Sequence, residues 1–90
     1  MKYPKFCVPV KVTLEDGNQY YGGVHVIQSQ RVLDVLCDER PFIPFKLRDR
    51  MILLNKSKLV RVDLLEMSEI HDMADLLPEV NLDYLNANAW

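Results

Sequence analysis

Two cysteines and two histidines are the side chains of this 90-residue chain suited to nucleophilic or metal chemistry, and they stand singly as Cys7, His25, Cys37 and His71. A structural zinc needs three or four convergent ligands, and neither a C-x-x-C nor an H-x-x-x-H pair is present, so no metal site is expected. Nucleophilic catalysis needs a thiol or hydroxyl beside a base in a water-poor pocket. No histidine is near either cysteine in sequence, which reads as two inert thiols and two structural or surface histidines. Gly22-Gly23 lies inside an alternating stretch, not between a strand and a helix as a phosphate loop requires. No catalytic residue and no cofactor are expected.

The basic side chains offer a different chemistry. All 11 Lys and Arg lie at or before Arg61. Residues 1–61 carry 11 basic and 6 acidic groups, which is +5; residues 62–90 carry no basic and 7 acidic groups, which is −7. The densest basic loops span 46–50 and 55–58, so Arg48, Arg50, Lys56 and Lys58 are the residues expected to meet a polyanion, with Tyr20, Tyr21 and Phe42 as stacking faces. The overall charge of −2 weighs toward the plainer reading, a solvated surface covered in part by the acidic end.

These residues must be positioned by a small fold. At 49% apolar and 27% charged side chains, the chain has the composition of one globular domain. No apolar run approaches the roughly 18–20 residues that span a bilayer, and no secretory signal is evident, so a cytoplasmic location with reduced thiols is expected. Phe6, Val8, Val10, Val12 and Leu14 alternate against Cys7, Pro9, Lys11, Thr13 and Glu15, which predicts a half-buried strand with Cys7 toward solvent and Pro9 on an edge or at a bend. Asp16-Gly17-Asn18 marks a tight turn, and Gln19–Gln28 returns as the second arm, with a bulge or bend at Gly22-Gly23. Val32 to Leu36 suits two helical turns, with Ser29 as N-cap and Pro41 as the stop; a short strand is the competing assignment.

Phe42-Ile43-Pro44-Phe45 reads as an extended segment that buries three large side chains and that its prolines keep out of a central strand position. Met51-Ile52-Leu53-Leu54 is a continuous apolar run, expected to be a strand buried on both faces. Asn55 to Lys58 turns it into a hairpin with Leu59–Leu65, whose Val60, Val62 and Leu64 point inward. From Ser68 the apolar period becomes helical through Ile70, Met73, Ala74 and Leu77 until Pro78. Residues 1–66 are therefore read as a small β-barrel and 67–90 as an acidic helical appendage packed on the barrel or on a partner subunit.

The hairpin, with Val10, Val12, Leu14, Asp16-Gly17, Tyr20 and Gly22, resembles the first motif of Sm-like small β-barrels over about residues 8–27, and 51–62 resembles them loosely. The resemblance implies a mainly β fold, a strongly bent antiparallel barrel of Sm-like or SH3-like type with a short helix between its hairpins. In that family an Asp and an Asn of the first motif join an Arg-Gly loop to grip RNA bases. Gln28 and Val32 stand near the first two positions here and Asn55-Lys56-Ser57-Lys58 replaces the loop, so that pocket is not carried over. Arg31-Val32-Leu33-Asp34-Val35-Leu36 and Phe42-Ile43-Pro44-Phe45 also resemble segments of small uncharacterised bacterial proteins, which implies nothing about activity.

The sequence therefore points to a non-catalytic interaction or regulatory module acting as a homo-oligomer, a dimer first. Its expected interface is Ile70, Met73, Leu77, Tyr84, Leu85 and Trp90, which exceed what so small a core needs. A protein partner fits the same surface; RNA or nucleotide binding by the basic loops is the alternative, and no membrane contact is expected.

Overall fold

The computed structural model describes residues 5–82. Among them five strands form one antiparallel sheet in the order β4-β3-β2-β1-β5. β1 (Lys5–Leu14) and β2 (Gln19–Ile27) form the hairpin that the alternation predicts. Gly17 makes its turn at φ 89°, where a side chain would be strained, and the Asp16 carboxylate accepts from the Asn18 N–H. Opposed residues of an antiparallel ladder share a face, so Val8, Val10 and Val12 line up with Val24 and its neighbours on the inner face. Ile43 and Phe45 join them, fully buried.

The short helix α1 (Val32–Cys37) follows β2 and adds Val32 and Val35 to this core. Ser29 does not cap it. That residue turns the chain at φ 71°, and the N-terminal N–H of Arg31 is met by the Asp34 carboxylate at 2.9 Å. The helix stops at Cys37, ahead of Pro41, because Asp38 is extended.

β3 (Phe42–Lys46) lies between β2 and β4 (Met51–Asn55), so it occupies an interior position of the sheet despite its proline. Backbone alternation explains how. The Cys7 N–H and C=O both bond Asn81, so odd residues of β1 face the β5 side. The Pro9 nitrogen therefore points beyond the last β1–β5 pair, Val10↔Leu64, where no strand awaits its missing hydrogen. The same alternation, carried across Gly23↔Lys46, turns the Pro44 nitrogen toward β2, and the β2–β3 ladder ends at Val24↔Phe45.

No bulge forms at Gly22-Gly23; the β1–β2 register runs through both without a shift. They are needed for close approach. A Cβ on Gly22 would stand 2.5 Å from the Lys46 carbonyl oxygen and from the Phe45 ring, and one on Gly23 would fall on the Cys7 sulfur.

β5 (Leu59–Leu64) pairs with β1, so the expected β4–β5 hairpin is absent and the sheet is not closed into a barrel. Yet only the 3-10 turn Lys56–Lys58 separates the two edge strands. At about 2 Å of rise per residue that turn holds the edges on the order of 10 Å apart at this end, which curls the sheet strongly. The irregularity lies in β5: Leu14↔Leu59 is followed by Thr13↔Arg61, leaving Val60 as the extra residue, and it turns outward at 67% exposure.

The outer face of β1 and β2 carries a second, smaller core. Leu65, Ile70 and Leu77 are buried there, with Tyr21 and Met73 against them. The helix α2 (Met67–Asp72) is shorter than the periodicity suggests and gives way to a 3-10 turn at Ala74–Leu76, leaving Ala74 exposed. Asn81 closes this layer, its Oδ1 accepting from the Cys7 N–H at 2.7 Å and its own N–H donating to the Cys7 carbonyl at 3.0 Å. Cys7, expected toward solvent, is thereby buried. The segment after Leu64 and the sheet thus share one packed outer face within the described residues.

Candidate interaction surface

β4 is an edge strand, and its apolar run is not buried on both faces. Ile52 and Leu54 face the inner core, whereas Met51 and Leu53 are 48% and 66% exposed on the outer side. Phe42 is 49% exposed on the same side of β3, because Phe42 pairs with Asn55 and Pro44 with Leu53. Two of the three side chains expected to be buried from the Phe42–Phe45 segment, Ile43 and Phe45, are buried, and Phe42 is not. An unpaired edge bearing two exposed apolar residues at alternate positions is a template for another strand.

The other edge is furnished differently. Beside the outer rim of β5, a groove of about 600 Å³ runs between α1 and α2, with Leu33, Leu36, Val62 and Leu64 as its apolar part and Arg61, Asp63 and Glu69 along it. Asp63 is held below the usual carboxylate range by Arg61, which donates to it, and by Lys11 at 3.5 Å.

The basic residues singled out by sequence are not gathered into one patch. Arg48 and Arg50 precede β4 and Lys56 and Lys58 follow it, so a five-residue strand of roughly 17 Å separates the pairs. Each is also engaged. Arg48 donates to the Asp75 carbonyl at 2.8 Å, Arg50 lies 3.5 Å from the Asp49 carboxylate, and Lys58 lies 3.0 Å from Glu15. Lys56 is structural: only 12% exposed, it donates to the Val35 and Asp38 carbonyls at 2.9 Å each and to the Asp38 carboxylate. A cation at the last carbonyls of α1 satisfies groups the helix leaves open.

Of the expected interface residues, Ile70 and Leu77 are buried against their own sheet and Met73 is half-buried there, so this face is already used within the chain. Tyr84, Leu85 and Trp90 lie outside the described residues. The acidic side chains Glu66, Glu69, Asp72, Asp75 and Glu79 are exposed and make no ion pair with the basic loops among the described residues. Among the described residues the appendage therefore covers the sheet through apolar contact, not by charge.

The sheet does bring one pair together that sequence distance concealed: Cys7 stands directly opposite His25 on the outer face. Burial raises the Cys7 thiol pKa, with Lys46 pulling weakly the other way, which is the reverse of what a nucleophile needs. Burial also lowers the His25 pKa, and Lys5 and Lys46 add to that. Cys37 and His71 are exposed, at the ends of α1 and α2, and no metal-holding cluster occurs among the described residues. No helix among them is long and apolar enough to cross a membrane.

Comparison with known proteins returns no match, whether to a family model, a curated protein or a solved structure. What the surface can do must therefore be argued from its own geometry, and the contrast between a bare edge and a furnished one is its main feature.

Proposed function

We propose that this chain is a non-catalytic interaction module that works as a homodimer, two copies joining β4 to β4 across a two-fold axis. The observation that carries this reading is the exposure of Leu53 and Met51 on an unpaired edge strand. Antiparallel pairing centred on Leu53 sets Leu53 against its mate, Ile52 against Leu54 and Met51 against Asn55. Inner-face residues then meet inner-face residues, and outer meet outer, so the two sheets continue into one another without a change of register. The outer row becomes Pro44-Leu53-Leu53-Pro44, with Met51 and Phe42 of the two copies flanking it.

Energetics set the expected strength. Covering the exposed part of Phe42, Met51 and Leu53 contributes roughly 1–2 kcal/mol each, of order 6–12 kcal/mol for both copies. Association costs about 4–15 kcal/mol in lost freedom, so the dimer is weak and depends on concentration. The 3-10 turn between β4 and β5 and the curl of the open sheet also fit an Sm-like or SH3-like arrangement in which one edge strand meets a neighbour.

The test mixes isotope-labelled and unlabelled copies of the whole chain and looks for intermolecular NOEs. Contacts between Ile52 and Leu54 of different copies are expected. Contacts that involve only Val60 and Arg61, or none at a concentration where the protein is dimeric, overturn the β4 interface.

A further inference from the structure

Beyond Val24↔Phe45 the strands β2 and β3 part, because Pro44 has no hydrogen to give β2, and a pocket of about 280 Å³ opens in the gap. Val26, Val35 and Pro44 form its apolar part; Lys5, His25 and Arg40 reach it from β1, β2 and the loop after α1. This volume is at the small end for ligand sites, and an apolar wall with a few convergent polar groups is their usual composition.

The charge around the pocket is unbalanced. Lys5 and Lys46 flank His25 and have no carboxylate partner among the described residues. Arg40 and Lys56 both converge on one carboxylate, Asp38, with Arg40 at 2.8 Å. Among the residues that line the pocket, Lys5 and Arg40 stand against the one carboxylate of Asp38, an excess of one; Lys46 and Lys56 on the basic side and Glu39 on the acidic side lie around it without lining it. This stands in a chain whose formal charge is −2. The loops rich in basic residues, by contrast, have their charges met by Asp49, Glu15 and a backbone carbonyl.

We infer that this pocket is a binding site for a phosphate group, with Lys5, His25 and Arg40 as its contacts. Arg40 spends Nε and Nη2 on Asp38, which fixes the guanidinium plane and leaves its further N–H groups for an oxyanion. The apolar wall then receives whatever the phosphate is attached to. The site is on the β2–β3 side of the sheet and does not depend on the β4 dimer.

Titration of the full chain with inorganic phosphate and, separately, with adenosine monophosphate tests it, against sodium chloride at matched ionic strength. The readouts are the His25 imidazole and the Ile27 and Arg40 amide signals in NMR. Saturable shifts confined to these residues are expected, and Lys5→Gln and Arg40→Gln each weaken binding about tenfold while Arg48→Gln leaves it unchanged. Equal affinity for the two ligands identifies free phosphate as the ligand; tighter binding of the monophosphate identifies a phosphorylated small molecule. Shifts that fail to saturate, that chloride reproduces, or that fall on the loops of Arg48 and Lys58 overturn the assignment. Circular dichroism of the variants separates loss of binding from loss of fold.

Discussion

The two edges of the sheet solve the same problem in opposite ways. β5 carries an outward bulge at Val60, an ion-paired Arg61 and Asp63, and helices on both sides of its groove. Each of these deters another strand from adding to it. β4 has none of them: its ladder with β3 is regular over five pairs and its outer face shows Met51 and Leu53. The contrast teaches that an exposed apolar edge here is not a shortage of covering material, since the chain equips the other edge fully. On the function proposed above it is a surface kept for a partner, and its self-complementary register makes a second copy the partner that fits.

The largest expected break in the comparison is Gly22→Ala. Its Cβ meets the Lys46 carbonyl and the Phe45 ring, so β3 and β4 are pushed off β2 while β1 and β5 keep their pairing. A loss of about 3 kcal/mol is expected in chemical denaturation, with hydrogen-exchange protection falling further in β3 and β4 than in β5. Equal loss at both edges would mean that the halves of the sheet do not respond separately.

Lys56→Met comes next. The ammonium ties the turn between the two edges to the end of α1, and removing it leaves the Val35 and Asp38 carbonyls without their donor. About 2 kcal/mol of stability is expected to be lost.

A pH experiment reads the same junction. Arg40 first and Lys56 second hold the Asp38 carboxyl far below the usual carboxylate range. A depressed pKa stabilises the fold above the unfolded value of about 3.9, and that contribution disappears as pH falls below it. Asp34, lowered by Arg31, and Asp63, lowered by Arg61, act in the same direction. Thermal midpoints measured between about pH 5 and pH 3 should therefore fall, and fall less steeply in Asp38→Asn. An unchanged slope would show that Lys56 and Arg40 do not depend on that carboxylate.

How far the sequence anticipated this follows from the range of each interaction. The β1–β2 hairpin and α1 were legible because alternation, a positive-φ glycine and a helical apolar spacing act over a few residues. The partner of β5 was not, since choosing β1 over β4 depends on the curl of the whole sheet. The run Met51–Leu54 misleads for a related reason: an apolar side chain left exposed on an edge strand reads the same in sequence as one buried in a core. Cys7 reads as solvent-facing in the strand pattern, and the layer that buries it is closed by Asn81, 74 residues away. Local charge density marks Arg48, Arg50, Lys56 and Lys58, but density does not reveal that Lys56 is spent on a helix end. Lys5, His25 and the remote Arg40 converge only after β2 and β3 diverge at Pro44.

Sedimentation equilibrium over a wide concentration range, run side by side on the natural chain, Leu53→Lys and Val60→Lys, tests the central claim most directly. Both positions are exposed, so each variant should keep its thermal stability at monomer concentrations to within about 0.5 kcal/mol. The account predicts that the natural chain and Val60→Lys shift from monomer to dimer as concentration rises, while Leu53→Lys remains a monomer throughout. A natural chain that stays monomeric, or a Leu53→Lys variant that still dimerises, would contradict it.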